Sequence, residues 1–414
     1  MSLFGSLFTG VSSLVAQSQS MSMISNNIAN VNTTAYKRNV SDFSTLVTAT
    51  GQNAQFSPGG VRACAKATID QQGLLQQTTS TTDISISGDG FFAVQHEVDG
   101  IQETLYTRAG AFSEDSRGFL RNSAGFYLMG WPLDSNNGLP ASSGDLESLT
   151  AVNVAFMGGM TRPTTDADIT LNMDARQDPA APGPHFSHTI RVFDTIGAAH
   201  DMSLKFTRTA AAPAMDWDLE IFDPEGNSLG VTSLEFDGDG ALITPAAGTD
   251  GRIKISIAAI DWGNGSNAQD IDLDITDCTQ FSGDYNVVFS DQNGADLGLR
   301  TGVAVDVDGY VNASFSNGQT AKLYKLPIST FTNPNGLEQR SGNVFSQTLD
   351  SGDYNLREAN QGGAGQISSS SLEASNVDLA EEFSNMIITQ RAYSAGTKVI
   401  STADQMLQEL LSIR

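Results

Sequence analysis

The 414-residue sequence predicts a mainly β protein of two β-rich domains in series. Long N- and C-terminal α-helices pair as a coiled coil, so the domains are discontinuous and nested. Three observations lead there. Apolar residues at both ends recur at three- and four-residue steps, the interior reads as short apolar alternations between glycines, and the acidic excess is concentrated in the middle. Length alone gives a prior of two to three domains at about 150 residues each, enough to bury cores without disulfide or metal staples.

At the N-terminus, Leu7, Val11, Leu14, Ser18, Met21, Ser25 and Ile28 alternate by four and three, the spacing of a coiled-coil seam. Leu3, Phe4 and Phe8 widen the stripe. Asn26, Asn27, Asn30 and Asn32 are poor helix formers and place the helix end near residue 30. The first 36 residues contain no Asp, Glu, Lys or Arg. They lack the basic region and unbroken apolar run of a secretory signal, and frequent Ser and Gln argue against a membrane span. The segment is therefore expected to be retained, with any exit from the cell by a route that cleaves no ordinary signal. An ordinary surface helix shows a charged outer face; a neutral one suits dense contact with several neighbours, the alternative being that each helix packs into its own domain.

At the other end, Leu372, Leu379, Met386, Tyr393, Ile400 and Leu407 repeat every seven residues. Ser375 and Asp378 resemble a capping box, from which a helix of about 57 Å reaches the C-terminus. Gly396 is expected to weaken it by about 1 kcal/mol relative to Ala.

The interior is strand and turn. Ile84 and Ile86, then Phe91, Phe92 and Val94, flank a Gly88-Asp89-Gly90 turn. Gly118-Phe119-Leu120 and Gly125-Phe126-Tyr127, seven residues apart, fit tight hairpins with aromatic anchors. Further on, Ile271, Leu273 and Ile275 alternate with Asp272, Asp274 and Thr276, a half-buried strand whose acids face water. The expected domains are 1–32 with 372–414 as a helical pair, 33–82 with 366–371 as an extended connector, 83–150 with 301–365 as an inner β domain, and 151–300 as an inserted acidic outer β domain. The Thr/Ser runs 78–82 and 368–371 are expected to act as joints.

Acids outnumber bases 47 to 22, a net charge of −25, and residues 151–300 hold 23 acids against 8 bases. Such a balance argues against nucleic acid or an anionic membrane as partner, since both repel it. Cys64 and Cys278 form no metal or disulfide pattern. His185 and His188 have a His-x-x-His spacing but lie beside prolines with no adjacent Glu, and His96 and His200 stand alone. Asp237-Gly238-Asp239-Gly240 and Asp306-Val307-Asp308-Gly309 start like calcium loops without the twelfth-position Glu, and Asp-Gly is equally a turn signal. No nucleophile elbow, phosphate loop or zinc-protease helix is present. The chain is read as no enzyme, with no cofactor and no metal.

The residues themselves carry a family resemblance. Ser25 through Lys37, SNNIANVNTTAYK, resembles the N-terminal signature of bacterial flagellar rod and hook proteins, with Asn26, Asn27, Ile28, Ala29, Asn30, Tyr36 and Lys37 as its motif residues. Asp83–Val94 (DISISGDGFFAV) and Tyr106–Gly130 are similar to that family's internal β motifs, and Leu372–Leu411 to its C-terminal helix. Thr189–Gly197, His200, Trp217 and the stretch from Leu326-Pro327 to Val344-Phe345 resemble the hook-type members. A distal-rod-like or other axial member is the alternative. Ala35 stands where the family often has Gly, and Ser394 and Gly396 replace the commoner Gln and Asn.

The resemblance implies a self-assembling structural subunit of an extracellular, curved, flexible tube. That tube transmits torque from rod to filament as a universal joint and conducts exported subunits. It implies a helical homopolymer as first partner, with hook cap, distal rod and hook–filament junction proteins, and the type III flagellar export apparatus, as others. No cleaved signal, nucleic acid or membrane insertion is expected. The self-assembly helices are expected to pair through Leu7, Val11, Leu14, Met21, Ile28, Leu372, Leu379, Met386, Tyr393, Ile400 and Leu407, ordering as they assemble. A secreted oligomeric binding module is the competing class and implies small closed oligomers.

Overall fold

The computed structural model describes residues 3–46, 59–98, 103–134, 138–155, 159–181, 185–209 and 216–412. The chain is mainly strand, with two long helices, α1 (Leu3–Ala29) and α2 (Leu379–Ser412). It divides into two compact units. One comprises residues 1–155, 303–313 and 321–414, the other residues 156–302 and 314–320.

In the first unit, α1 ends where the asparagines predict. The chain then forms an antiparallel hairpin, Asn39–Leu46 with Gly60–Ala67, in register from Asn39 opposite Ala67 to Leu46 opposite Gly60. Two short pairings tie the C-terminal arm to the body: Leu75–Gln77 with Ser371–Glu373, and Ile84–Ser87 with Gln366–Ser369, both antiparallel. Phe91–Gln95 lies centrally in the main sheet, bonded to Leu105–Thr107, Tyr127–Pro132 and Ile328–Phe331. Alternation along it sends Phe92 and Val94 into one core with Ile84, Ile86, Leu128 and Ile328, while Phe91 joins Tyr106, Phe331 and Phe345 in another.

The second unit holds two five-stranded sheets around one core. One is an antiparallel run in chain order, from Phe186–Phe193 to Leu242–Thr244; the other is built about Asp166–Asp174. Ile169, Val192, Phe206, Trp217, Leu219, Leu234, Ile271 and Leu273 fill the space. The alternation of Ile271 and Leu273 with acids holds, except that Asp274 is buried, bonded to Arg252 and Thr276.

One turn type recurs through both units. In Asp115–Gly118, Asn122–Gly125, Asp194–Gly197, Asp223–Gly226, Asp237–Gly240 and Asp306–Gly309, the glycine N–H donates to the first residue's carbonyl. In each, a side-chain oxygen of that first residue accepts a further amide within its own turn or just beyond it. The glycines lie at φ from +82° to +98°, where a side chain is strained. Asp237 and Asp306 thus act as turn residues. The expected hairpins at 112–132 are present. Ile84–Ser87 and Phe91–Gln95, by contrast, do not pair across Gly88–Gly90, because each already has other strand partners.

Three expectations need correction. Leu372 lies in the strand Ser371–Glu373, not in a helix. The helix begins seven residues later, at Leu379; ahead of it the Asn376 side chain accepts Arg38 N–H and donates to the Thr68 carbonyl, tying this non-helical stretch to the N-terminal arm. The cap is Asp378, whose Oδ1 accepts the N–H groups of Ala380 and Glu381, so Ser375 is outside the helix. The Thr/Ser runs, expected as joints, are not open linkers in this structure: Thr78 N–H bonds Ser370 O, Thr82 Oγ1 bonds Phe112 O, and Ser368–Ser369 sit in a paired strand.

Candidate assembly surface and its root

The two helices run antiparallel. A Cβ added at Gly10 would lie 3.0 Å from Ile400 Cγ1, one at Gly396 would lie 3.0 Å from Leu14 Cδ2, and Asn27 Nδ2 donates to Glu382 Oε1 at 3.1 Å. The buried positions of α1 are Gly10, Ala16, Ser20, Ile24 and Asn27; those of α2 are Glu382, Thr389, Gly396 and Ala403. The latter four also repeat every seven residues, three places after Leu379, Met386, Tyr393 and Ile400. Together the two sets give the four–three alternation of a seam. Its tightest places are taken by small residues, and small residues let the backbones approach.

This redistributes the predicted seam residues. Leu7, Leu14, Met21, Ile28, Met386, Ile400 and Leu407 are half-buried along its flanks. Val11, Leu379 and Tyr393 are instead exposed, at 50%, 41% and 43%. Periodicity of large apolar residues found the helices and the flanks of the seam, Leu14 and Ile400 among them, but not the small residues at its closest approach, because Gly396 and Thr389 carry no apolar signal. The second heptad series was the clue available.

The pair leaves large apolar side chains outside. On α1, Phe4, Phe8, Val11 and Val15 follow a four–three–four spacing, and on α2 Leu379, Phe383, Ile387, Ile388, Val399 and Met406 are likewise exposed. Single exposed leucines are ordinary; a row of phenylalanines and β-branched residues along one helix marks a contact surface.

The signature residues form the root of the helix pair. Asn27, 1% exposed, donates to Asn39 O and Glu382 Oε1 and accepts from Asn39 N–H and Tyr36 Oη. Asn26 Nδ2 donates to Tyr36 Oη, and Asn30 Nδ2 bonds back to Asn26 O, closing the helix end. Ile28 is half-buried and Ala29 exposed at the last turn. Burial raises the Glu382 carboxyl above its usual range, with the Asn27 bond and Arg38 opposing and Glu381 adding to the shift. Lys37, 1% exposed, donates to Gln71 O and to Glu373 Oε1, both at 2.5 Å. Ala35 is buried in a left-handed conformation, φ +56°, with its N–H on Glu373 O at 2.8 Å. A glycine would adopt this positive φ without strain.

The other candidate chemistry resolves into structure. His200 Nε2 bonds buried Asp194 and its ring stacks on Trp262 at 4.1 Å. His185 Nδ1 accepts Arg208 N–H, His188 Nε2 bonds Ser290 Oγ, and the His96 ring meets Phe126 edge to face. Cys64 is exposed and Cys278 buried, both free. Among the described residues no group of three His, Cys, Asp or Glu side chains is placed to hold a metal, and no helix is long and apolar enough to cross a membrane.

Comparison with known proteins gives matches along the chain. Residues 7–37 match the flagella basal body rod protein family, and residues 85–176 the flagellar hook protein FlgE/F/G D1 domain. Residues 161–295 match the flagellar basal body protein FlaE D2 domain, and 368–413 the flagellar basal body rod FlgEFG protein C-terminal family. The flagellar hook protein FlgE of Rhizobium meliloti is 34% identical with all of both chains covered, and that of Caulobacter vibrioides 30% identical, again over the whole of each. That of Escherichia coli is 30% identical over 98% of each. A crystal structure of Helicobacter pylori flagellar hook protein FlgE2 overlaps 72% of this chain and all of that one, with 14% identity and a TM-score of 0.47, too partial a likeness to carry an argument. Two terminal helices rooted in the asparagine–tyrosine–lysine signature, and full-length identity of this order, place the chain in the flagellar hook protein family.

Proposed function

We propose that this hook subunit polymerises into a curved, flexible tube, with its paired terminal helices packed against those of neighbouring copies. The exposed apolar row Phe4, Phe8, Val11 and Val15 with Phe383, Ile387 and Ile388 supports the reading most directly. Full burial of each such side chain is worth about 1.5–3 kcal/mol. Head-to-tail contacts that do not close generate an open filament rather than a ring. The family is structural and not known for enzymes, and the proposed role is mechanical: a universal joint that carries torque from rod to filament and leaves a path for exported subunits.

The acidic unit 156–302 suits the outside of such a tube, where small, wet, salt-screened contacts can change as the tube bends. The proposed further partners are the hook cap, the distal rod, the hook–filament junction proteins and the type III flagellar export apparatus. The proposed site is outside the cell. Negative-stain electron microscopy of an in-frame deletion tests this: rods without hooks are expected, and hooks that persist point to another axial component. Complementation with the double variant Phe383→Ser/Ile387→Ser is expected to yield exported, folded β units and no hooks.

A further inference from the structure

We infer that Glu373 is a closure latch for the two terminal arms, a single buried carboxylate from the C-terminal arm that neutralises one cation of the N-terminal arm and one of the β body. The inference is independent of the assembly reading. Glu373 is fully buried, and its two oxygens face different partners. Oε1 takes Lys37 Nζ at 2.5 Å and Gly73 N–H at 2.7 Å, while Oε2 takes Arg108 Nη1 at 3.4 Å. Lys37 and Arg108 are 1% and 2% exposed. Among the described residues, Glu373 is the carboxylate ion-paired with either.

The cations have little else to neutralise them. Lys37 also reaches Gln71 O, and the exposed Asp70 adds a weaker attraction. Arg108 reaches Gly88 O at 2.8 Å and lies over the Phe91 ring, and its Nε has no partner. Burial lowers the Lys37 ammonium below its ordinary range, Glu373 opposes that shift, and Arg108 adds to it. With Glu373 in place the cluster carries one excess positive charge. Without it, two desolvated like charges face each other, an arrangement proteins avoid.

The consequence is a test of chain completeness. The N-terminal arm docks Lys37 beside Arg108 only when the strand Ser371–Glu373 has arrived, because that strand supplies both the carboxylate and the carbonyl that receives Ala35 N–H. Lys37 follows α1 by eight residues and Glu373 precedes α2 by six, so the latch fixes the bases of both helices.

Hydrogen exchange on the full chain reads this directly, using Ala35, residues 36–38 and Gly73 as reporters. Glu373→Gln keeps the shape and the acceptor but removes the charge. It is expected to speed exchange at all these reporters together by roughly a hundredfold. Lys37→Met alone is expected to do much less, and Lys37→Met/Glu373→Gln to exchange more slowly than Glu373→Gln, because one buried cation then remains instead of two. If Glu373→Gln fails to fold, rescue of folding by Lys37→Met or Arg108→Met supports the latch equally. A silent Glu373→Gln, additive double variants, or loss of folding that neither second substitution relieves overturns it.

Discussion

Gly396→Leu tests the seam with a magnitude that the structure supplies. A Cβ at this position would sit 3.0 Å from Leu14 Cδ2 and 3.4 Å from its Cγ, inside the roughly 3.5–4.0 Å optimum for carbon contacts. For Gly396→Ala, the gain in helix propensity of about 1 kcal/mol offsets a small shift of the flexible Leu14 end, and a near-neutral result is expected. Leucine adds three further carbons at the closest approach of α1. Overpacking of that kind costs about 1–3 kcal/mol; three carbons forced into a contact already at 3.0 Å put it near the upper end, leaving a net loss of up to about 2 kcal/mol after the propensity gain. The critical concentration for polymerisation of purified subunit, read by sedimentation and electron microscopy, is expected to rise about tenfold, one decade per 1.4 kcal/mol. Adding Leu14→Ala removes the obstructing side chain and is expected to recover most of the loss, a non-additivity that contacting residues show. If Gly396→Leu is as neutral as Gly396→Ala, or if Leu14→Ala deepens the defect, the helices do not meet where the geometry puts them.

Three further outcomes are expected. Ala35, buried at φ +56°, tolerates glycine with little change in urea midpoint, since relief of strain offsets the lost methyl, whereas Ala35→Val costs about 2 kcal/mol because a β-branched residue is an outlier there. Burial alone would raise the Asp194 carboxyl, yet bonds from His200, Asn264, and the Ala198 and Ile196 amides hold it below its usual 3.8. A depressed folded-state value contributes stability that is present above pH 3.8 and lost as pH falls through the folded value. Near-UV circular dichroism of Trp262 is therefore expected to collapse on acidification, with Asp194→Asn less stable at pH 7 and flatter in acid. Cys278 is 2% exposed and burial pushes its thiol up to about 12. Native alkylation at pH 8 is expected to label Cys64 alone, and early labelling of Cys278 in intact protein would contradict the packing of that core.

The helices and the turn-rich interior were legible because each leaves a local pattern, whereas the antiparallel run of the helices came from the structure. The α1 stop at Ala29 was visible in its asparagines, and the hairpins at 112–132 in glycines spaced to close them. Leu372 misled because a seven-residue repeat continues through the sequence after the backbone has become extended. At that point, pairing with Leu75–Gln77 outweighs helix propensity. Val11 and Tyr393 misled for a different reason: large apolar residues on an assembling helix serve two faces, and periodicity cannot say which faces its own partner.

By itself, then, the sequence determined the two terminal helices, the β interior, the segregation of acid into residues 151–300 and the signature that ties the chain to its family. Only the tertiary structure decided which face of each helix closes on the other, that Gly10 and Gly396 are points of contact, and that Lys37, Arg108 and Glu373 converge. The physical reason is range. Propensity, capping and alternation act over a few neighbouring residues, whereas a seam between residues 14 and 396, or a carboxylate shared by residues 37, 108 and 373, exists only once distant segments are packed together.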